Sequence, residues 1–586
     1  MLARHLSPLR TLLAPALLLI GALQAGLATA AEQEVLFYNG RVFTAEPEHP
    51  YAEAVAIRGE RIVGVGALGD VARQVGPGAK RVDLGQRFLM PGMIDAHAHP
   101  IEGGLEQNQL RYSSDDGSVP NLVAYVQAQA AKVPADQVLI VTDLDIRIWS
   151  QAAAIDAGLS HGALEHRRVV LYGNDGHTGW ANKAARLKAG ITQAFLKHAP
   201  DSERRFYGYD AQFNPNGFVV DAGKNRVTAS LPPRTPQQLI QGGREALKYM
   251  HSIGITGWLD AAAAGVVGGD TPLSVKDPGV LPVYKALGDS GELTAHVVGY
   301  PVVKPDLGAA QIDVVQALQA QFSNIPNFRI PGLKVFADGV VEIPSQTASM
   351  SKPYRNTGRE VLPLFTPAKM NALVAEAYRR GLTVHIHAIG DLAVKRSLDA
   401  FEAARRANPD TKLPFVLTHA QFVDPEDIPR FASLHVIAAL QLLWAIADSS
   451  TNEVVKPYID PEIYRWMYPA RSLLDTGAVI AGASDWPVSS ANPFLAIYQA
   501  ETRVGVQGVL DETQRMPREA MLYAYTRNSA AALDMQQQIG SIAPGKLADL
   551  VLVDRDLLTV TPEALKEAKV VWTLFGGKTV YGAAPF

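Results

Sequence analysis

Short apolar runs alternate with helical patterns through the middle of the chain. Turn residues bound the runs, and helical stretches such as 367–381 and 394–408 lie between several of them. A repeated strand–helix order predicts an α/β protein with a parallel sheet, and over a middle section this long it predicts a (β/α)8 TIM-like barrel. The apolar runs that carry this prediction are 138–142, 167–172, 332–337, 383–387, 415–419, 436–441 and 479–484.

The two ends of the chain share a different pattern, in which short apolar runs are separated by tight turns. The runs 34–39, 54–58 and 61–65 have this character, and so do 548–554, 570–575 and 578–581. This predicts a small β-domain assembled from residues 31–92 and 536–586, with the barrel at 93–535 between them. Residues of about 105–250 are too many for one strand–helix loop, so they predict an inserted subdomain.

The first thirty residues have the pattern of a cleavable signal peptide. Arg4 and Arg10 precede an almost wholly apolar run at 12–23, and small residues at 28–30 offer a cleavage site after Ala30. The alternative is a membrane anchor, but the run is short and contains Pro15, whereas a span needs about 20 apolar residues. We expect an exported protein, periplasmic or secreted, with no membrane association after cleavage.

The composition narrows the class of protein further. The chain has 586 residues, of which 47% are hydrophobic and 19% charged, so it is not typical of a disordered protein. The formal net charge of −4 provides no basic field for nucleic acid. The absence of Cys excludes disulfides, thiolate nucleophiles and Cys-ligated zinc. We expect a small-molecule substrate and no nucleic-acid partner; a homo-oligomer is compatible with the sequence.

Polar residues at the ends of the apolar runs carry the candidate chemistry. His97 and His99 follow the run that begins at Phe88, and alternation along a strand places both imidazoles on one face, where they can bind one metal ion. His387, His419 and Asp485 each end or follow a later run. Barrel enzymes place their sites at these strand ends, so the pattern favours a metal site over buried structural histidines.

Five stretches in this order resemble the amidohydrolase superfamily of metal-dependent hydrolases. Within it they resemble amidohydrolase family 3, the group that contains N-substituted formamide deformylase, and they span nearly the whole chain after the signal. The stretches are FLMPGMIDAHAH (88–99), GLKVFADG (332–339), HIHAIGD (385–391), GASDWP (482–487) and GSIAPGKLAD (540–549).

The resemblance implies a divalent metal centre, with zinc as the default ion because imidazole and carboxylate ligands suit it. Two ions per chain are expected if Lys334 carries a carboxylate group that bridges them, and one ion is expected if Lys334 is unmodified. Asp485 would also serve as general base. The implied ligands are His97 and His99 for the more buried ion, His387 and His419 for the second, carboxylated Lys334 between them, and Asp485 on the first.

Two of these residues have alternatives. Lys334 without the carboxylate group could form an ion pair with Asp338 or Glu342, and the site could then be mononuclear. His385 shares a strand face with His387, so it could be a ligand or contact substrate. Because it lies one rung deeper, packing or orienting a ligand is the alternative.

Three further residues are candidates for substrate contact. The stretch NDGHTGWAN (174–182) resembles a family segment that faces the substrate, which implies that His177 bonds the developing oxyanion and that Trp180 lines the pocket. The alternative is a polar loop with a packed tryptophan. Asp260 ends another apolar run and could contact substrate.

The resulting prediction is a metal-dependent amidohydrolase that cleaves a non-peptide C–N bond of an amide. An esterase, a lactonase or a deaminase could use the same metal core, because the ligands do not distinguish these reactions. A non-catalytic periplasmic binding or regulatory protein is the alternative from another class, and a lost ligand would mark it. All the implied ligands are present in this sequence.

Overall fold

A computed structural model describes residues 33–583, apart from 108, 114–116, 135 and 266–271. The predicted signal peptide at 1–30 lies outside the described residues. Among the helices that are described, none is long and apolar enough to cross a membrane.

Eight principal strands from the middle of the chain form two parallel sheets that position the candidate site. The first sheet has the order β3-β2-β1, with the two-residue strand Phe328–Arg329 paired to the other side of β3, and the second has the order β4-β5-β6-β7-β8. Their bounds are β1 Met93–Ala98, β2 Ile255–Ala264, β3 His296–Pro301, β4 Gly332–Phe336, β5 Thr383–Ala388, β6 Phe415–His419, β7 Val436–Leu440 and β8 Val479–Gly482.

Backbone hydrogen bonds join the two sheets at both neighbouring edges. After β3, the N–H of Val303 donates to the carbonyl of Lys334 on β4 at 3.0 Å. On the other side, the N–H of Asp485 donates to the carbonyl of His97 at 2.8 Å. With helices in the connections, this is a TIM-barrel-like α/β arrangement.

The helices between these strands are amphipathic elements whose apolar sides face the common core. Pro367–Arg379 buries Leu373, Val374 and Ala377, and Asp391–Ala407 buries Leu398 and Phe401. The other principal helices in the connections are Pro100–Glu106, Pro236–Ser252, Leu281–Asp289, Gln311–Gln321, Ile428–Ser433, Ala470–Asp475, Pro493–Thr502 and Arg518–Tyr523.

Two further sheets contain the strands near the chain ends. Phe88–Pro91 pairs antiparallel with Leu550–Val553, so residues from both ends share one six-stranded sheet. Its apolar face packs on a four-stranded sheet, with Phe37 and Trp572 in the shared core. The strands are Glu34–Tyr38, Arg41–Phe43, Tyr51–Ala52, Ala54–Arg58, Arg61–Gly66, Lys80–Asp83, Phe88–Pro91, Leu550–Val553, Val570–Phe575 and Lys578–Gly582.

The segment between β1 and β2 contains a separate six-stranded sheet. The predicted runs 138–142 and 167–172 become strands here and not in the barrel-like sheets, because Leu139–Leu144 and Val169–Gly173 pair with each other. The remaining strands of this sheet are Leu110–Arg111, Thr178–Ala181, Tyr207–Tyr209 and Pro215–Val220, and helices Val119–Ala130, Ala152–Leu159, Lys183–Lys188, Gln193–His198, Asp201–Arg204 and Ala222–Ala229 accompany them.

Candidate active site

His97, His99 and Asp485 form a compact group where the edges of the two sheets meet. Alternation along β1 places His97 inside, and His99 follows one residue after the strand ends. The Nε2 atoms of His97 and His99 each lie 3.2 Å from the same oxygen, Oδ1 of Asp485. The atoms that could bind one metal ion in these three residues are within 4.8 Å of one another.

The backbone fixes the position of the Asp485 carboxylate. Asp485 has a φ of 58°, which is uncommon for a residue other than glycine, and its N–H is held by the His97 carbonyl. Burial disfavours the charged form, but the neighbouring His99 imidazole outweighs it and lowers the pKa of Asp485. The carboxylate is therefore ionised at neutral pH.

His387, His419 and Lys334 line the adjacent part of the pocket. The rings of His387 and His419 are 4.4 Å apart, and Trp444 stacks on His419 at 5.6 Å. The Nζ of Lys334 is buried and lies 4.7 Å from the ring of Phe336. Burial lowers the pKa of Lys334 to about 7, so a neutral amine is accessible at physiological pH.

Lys334 does not form the alternative ion pair with Asp338. The Asp338 carboxylate instead accepts three backbone N–H bonds of 2.9 Å, from Ser349, Ile389 and Gly390. Among the described residues, the Nζ of Lys334 has no hydrogen-bond partner. Burying an amine without a hydrogen-bond partner costs folding free energy. This is consistent with a lysine that is chemically modified or binds a ligand in the functional protein.

The donor set fits a divalent metal ion. Three buried atoms of the proposed ligand side chains lack a hydrogen-bond partner within the described ranges. They are Lys334 Nζ, His419 Nδ1 and Asp485 Oδ1. Burial lowers the pKa of His387 to about 3 and those of His97 and His419 well below the usual value. Imidazoles held neutral are in the form that binds metals.

His385 lies behind His97 and is fully buried. Its Nε2 is 2.7 Å from Nδ1 of His97, the nitrogen opposite the one that faces Asp485. This position gives His385 no exposed surface for substrate, so it favours the alternative in which His385 orients His97.

Two carboxylates tie segments of the site together, a role that was not predicted from the sequence. Asp95 accepts hydrogen bonds from the N–H groups of His97 and Ser484 and from the Ser484 hydroxyl, so it ties β1 to the segment before Asp485. Asp338 ties the segments after β4 and β5 together through the bonds described above. Asp95 could have been found from its i, i+2 relation to His97; Asp338 gives no comparable signal.

The segment 174–182 brings His177 to the pocket but not Trp180. His177 bonds Asp221 through Nδ1 at 2.7 Å, and its charge is near enough to lower the pKa of His387. Trp180 is fully buried and donates its indole N–H to the carbonyl of Asn216 at 2.9 Å. This favours the alternative of a packed tryptophan. The sequence offered no signal for Asp221.

Asp260 on β2 is buried beside His99. It shares a small cavity with His99 and Glu102, and the positive charge of His99 acts on its carboxylate. The hydroxyl of Tyr284 donates to Asp260 at 2.6 Å, and burial raises the pKa of Asp260. The structure thus brings Asp260 to the pocket, with one oxygen already engaged by Tyr284.

Fold and site together define a class of protein, the metal-dependent hydrolases with a TIM-barrel-like α/β fold. The chain belongs to the amidohydrolase family, whose model matches residues 80–581. The prediction of the family from five sequence stretches is confirmed.

Individual relatives cover almost the entire chain. Protein LONG AFTER FAR-RED 3 of Arabidopsis thaliana is 28% identical over 560 residues, which is 94% of this chain and 91% of the relative. The N-substituted formamide deformylase of Arthrobacter pascens is 24% identical, over 94% of this chain and 98% of the enzyme. An uncharacterized metal-dependent hydrolase of Pyrococcus horikoshii has a similar fold, with a TM-score of 0.69 and 21% identity over 91% of this chain and 99% of that structure.

Proposed function

We propose that this chain hydrolyses a non-peptide C–N bond of a small amide. The observation that carries the proposal is the convergence of His97 and His99 on the ionised Asp485, each at 3.2 Å, beside the unpartnered amine of Lys334. The similarity to N-substituted formamide deformylase over nearly the full length of both chains supports an amide as substrate.

The proposed metal ligands are the six side chains implied by the sequence. His97, His99 and Asp485 would hold one ion, and His387 and His419 a second, with carboxylated Lys334 between them. Zinc is the proposed ion, because neutral imidazoles and a carboxylate suit it. A bound divalent ion acidifies water and polarises a carbonyl group.

Asp485 is the proposed general base. Its ionised carboxylate accepts a proton from the attacking water as the water oxygen bonds to the amide carbon. As the C–N bond breaks, Asp485 returns that proton to the leaving nitrogen, so the carboxylate is regenerated. His177 is the proposed hydrogen-bond donor to the carbonyl oxygen, which gains negative charge as the water adds.

The first experiment tests metal content and the modification of Lys334. Mature protein, purified without chelator and with bicarbonate present, is expected to contain about two ions per chain, since a carboxylated lysine can bridge two. Lys334→Met, which cannot be carboxylated, is expected to contain about one. Lys369→Met, an exposed lysine, serves as the matched control. Elemental analysis gives the stoichiometry.

The measured metal content tests both the assignment of Lys334 as a ligand and the hydrolase proposal. Equal metal content in wild type and Lys334→Met would remove Lys334 from the metal site. Absence of metal even after reconstitution would overturn the hydrolase proposal in favour of a binding role. A substrate panel of N-substituted formamides, other amides, esters, lactones and aminopurines then separates amide hydrolysis from the alternative reactions on the same core.

We further propose the three-part domain architecture and the periplasmic location that were inferred from the sequence. Residues 31–92 and 536–586 would form one β-domain, the eight strands a (β/α)8 barrel, and 105–250 an insert. The sheet shared by both chain ends supports the first of these, and the separate sheet between β1 and β2 supports the last. Cleavage after Ala30 and a periplasmic location are proposed from the N-terminal pattern alone.

A further inference from the structure

His177 and Asp221 form a pair across two neighbouring strands of the insert. Thr178 pairs with Val220 in antiparallel register, so the residues just beyond them, His177 and Asp221, come together. The N–H of Asp221 donates to the carbonyl of His177 at 3.1 Å, and Nδ1 of His177 lies 2.7 Å from the Asp221 carboxylate. The backbone thus fixes the side-chain pair.

The pair lies against the loops that follow the barrel-like strands. Gly176, at φ +71°, approaches Val488 so closely that a Cβ there would be 2.9 Å from the Val488 side chain. The side chain of Thr347, in the segment after β4, lies near enough to lower the pKa of Asp221. Contacts with segments on two sides hold the insert's imidazole at the pocket that contains Asp485.

Among the described residues, one nitrogen of the His177 ring has a hydrogen-bond partner. Nδ1 bonds Asp221, whereas no hydrogen bond from Nε2 to a described residue is found and the side chain is 23% exposed. Burial disfavours the charged ring, but the bond and charge of Asp221 outweigh it, so the pKa of His177 is raised. A protonated ring would present Nε2–H to the pocket.

Other charged groups also face this ring, and they act in both directions. Asp175 accepts the backbone N–H of His177 and favours the ring's positive charge, as Asp221 does. Lys224, which donates to the carbonyl of Gly176, opposes that charge. From the barrel side, Glu342 and His387 also interact with the charge on His177.

We propose that Asp221 is a positioning residue that binds Nδ1–H of His177 and balances its positive charge, so that Nε2–H faces the substrate's carbonyl oxygen. This inference rests on the proposed amide hydrolysis, and it makes the insert a part of the active site. It also assigns a function to a residue 44 positions away from His177 in sequence. The chemistry requires no proton transfer from His177, only a stronger hydrogen bond as the carbonyl oxygen becomes negative.

Nitrogen NMR of the metal-loaded full-length mature protein, labelled with 15N-histidine, tests the pairing. The His177 signal is assigned by its loss in His177→Gln. In wild type both ring nitrogens are expected to be protonated at pH 7. Asp221→Asn is expected to lower the pKa of His177 by at least about one unit, because it removes the neighbouring charge. Asp221→Glu should restore part of the shift.

Kinetics on the N-substituted formamide series test the role in turnover. Asp221→Asn is expected to lower kcat by about 10–100-fold with little change in KM, since the donor acts on charge that develops during the reaction. Asp201→Asn, a 96% exposed aspartate on the same insert, is the control and should leave kcat and the His177 signal unchanged.

The outcomes separate the inference from the proposed function. An unprotonated Nε2 at pH 7 in wild type, or a wild-type kcat in a folded Asp221→Asn, overturns the inference while amide hydrolysis stands. If wild type hydrolyses no amide yet His177 is doubly protonated and depends on Asp221, the pairing is supported. The proposed reaction and the catalytic role of the pair are then both overturned.

Discussion

The pKa values of three barrel histidines and that of His177 in the insert shift in opposite directions. Burial lowers the pKa of His387 to about 3, and those of His97 and His419 also fall, so these rings stay neutral. Partial burial also disfavours the charged form of His177, but its pairing with Asp221 raises its pKa. The pKa of His99 in the barrel pocket is also raised, because the Asp485 carboxylate lies 3.2 Å from its Nε2.

This difference shows how one pocket can hold two kinds of imidazole. Where burial dominates, as at His97, His387 and His419, the pKa falls and the neutral ring has a free lone pair for a metal ion. Where a carboxylate bonds the ring closely, as Asp221 bonds His177, the pKa rises, and this favours a charged ring that can stabilise a developing negative charge. The neutral rings come from the barrel-like strands and the paired His177 comes from the insert, so in our proposal the two regions supply different parts of the reaction.

The largest effect on turnover is expected from Asp485→Asn. The variant keeps the size of the side chain and an oxygen donor, but it removes the base, so kcat should fall by about 1000-fold or more while metal content changes little. Steady-state kinetics and elemental analysis on the same preparation measure both. Asp475→Asn, in an exposed ion pair, is the control. Full activity in Asp485→Asn would remove this carboxylate from the mechanism.

A smaller effect is expected from the residue that supports His97. If Nε2 of His97 binds metal, its Nδ1–H donates to Nε2 of His385. His385→Phe removes the acceptor at similar size and should weaken metal binding by about 10–100-fold. His385→Gln retains an acceptor and should lose less. Competition with a chelator measures the affinity, and equal affinities in all three proteins would contradict an orienting role for His385.

The sequence predicted all five strands of the second barrel-like sheet, whereas His296–Pro301 of the first sheet was not among the predicted runs. The run 415–419 becomes Phe415–His419 without change, and 383–387 becomes Thr383–Ala388. Their hydrophobic pattern is local and continuous, so the strand and the polar residue at its end can be recognised together. Those ends are also where the structure brings together the side chains implied by family resemblance.

The sequence could not predict which sheet a strand joins or which side chains meet across it. The runs 138–142 and 167–172 look like barrel strands, yet they pair with each other in the insert. Similarly, the bond of His177 to Asp221 depends on the register of two strands that are distant in sequence. Apolar periodicity indicates that a residue is buried, but it does not identify the core that buries it.

The smallest effect on turnover is expected from Trp180→Phe, which separates the two interpretations of that residue. Its indole N–H satisfies the carbonyl of Asn216, so the variant should lose about 1–2 kcal/mol of unfolding free energy through the unpaired acceptor. Because the ring is fully buried, kcat and KM should stay within about twofold of wild type. Denaturant unfolding and kinetics across the formamide series measure these quantities. A changed order of preferred substrates would instead show that Trp180 lines the pocket. Unchanged kinetics with reduced stability would mean that His177, and not Trp180, is the residue through which the segment 174–182 contributes to the active site.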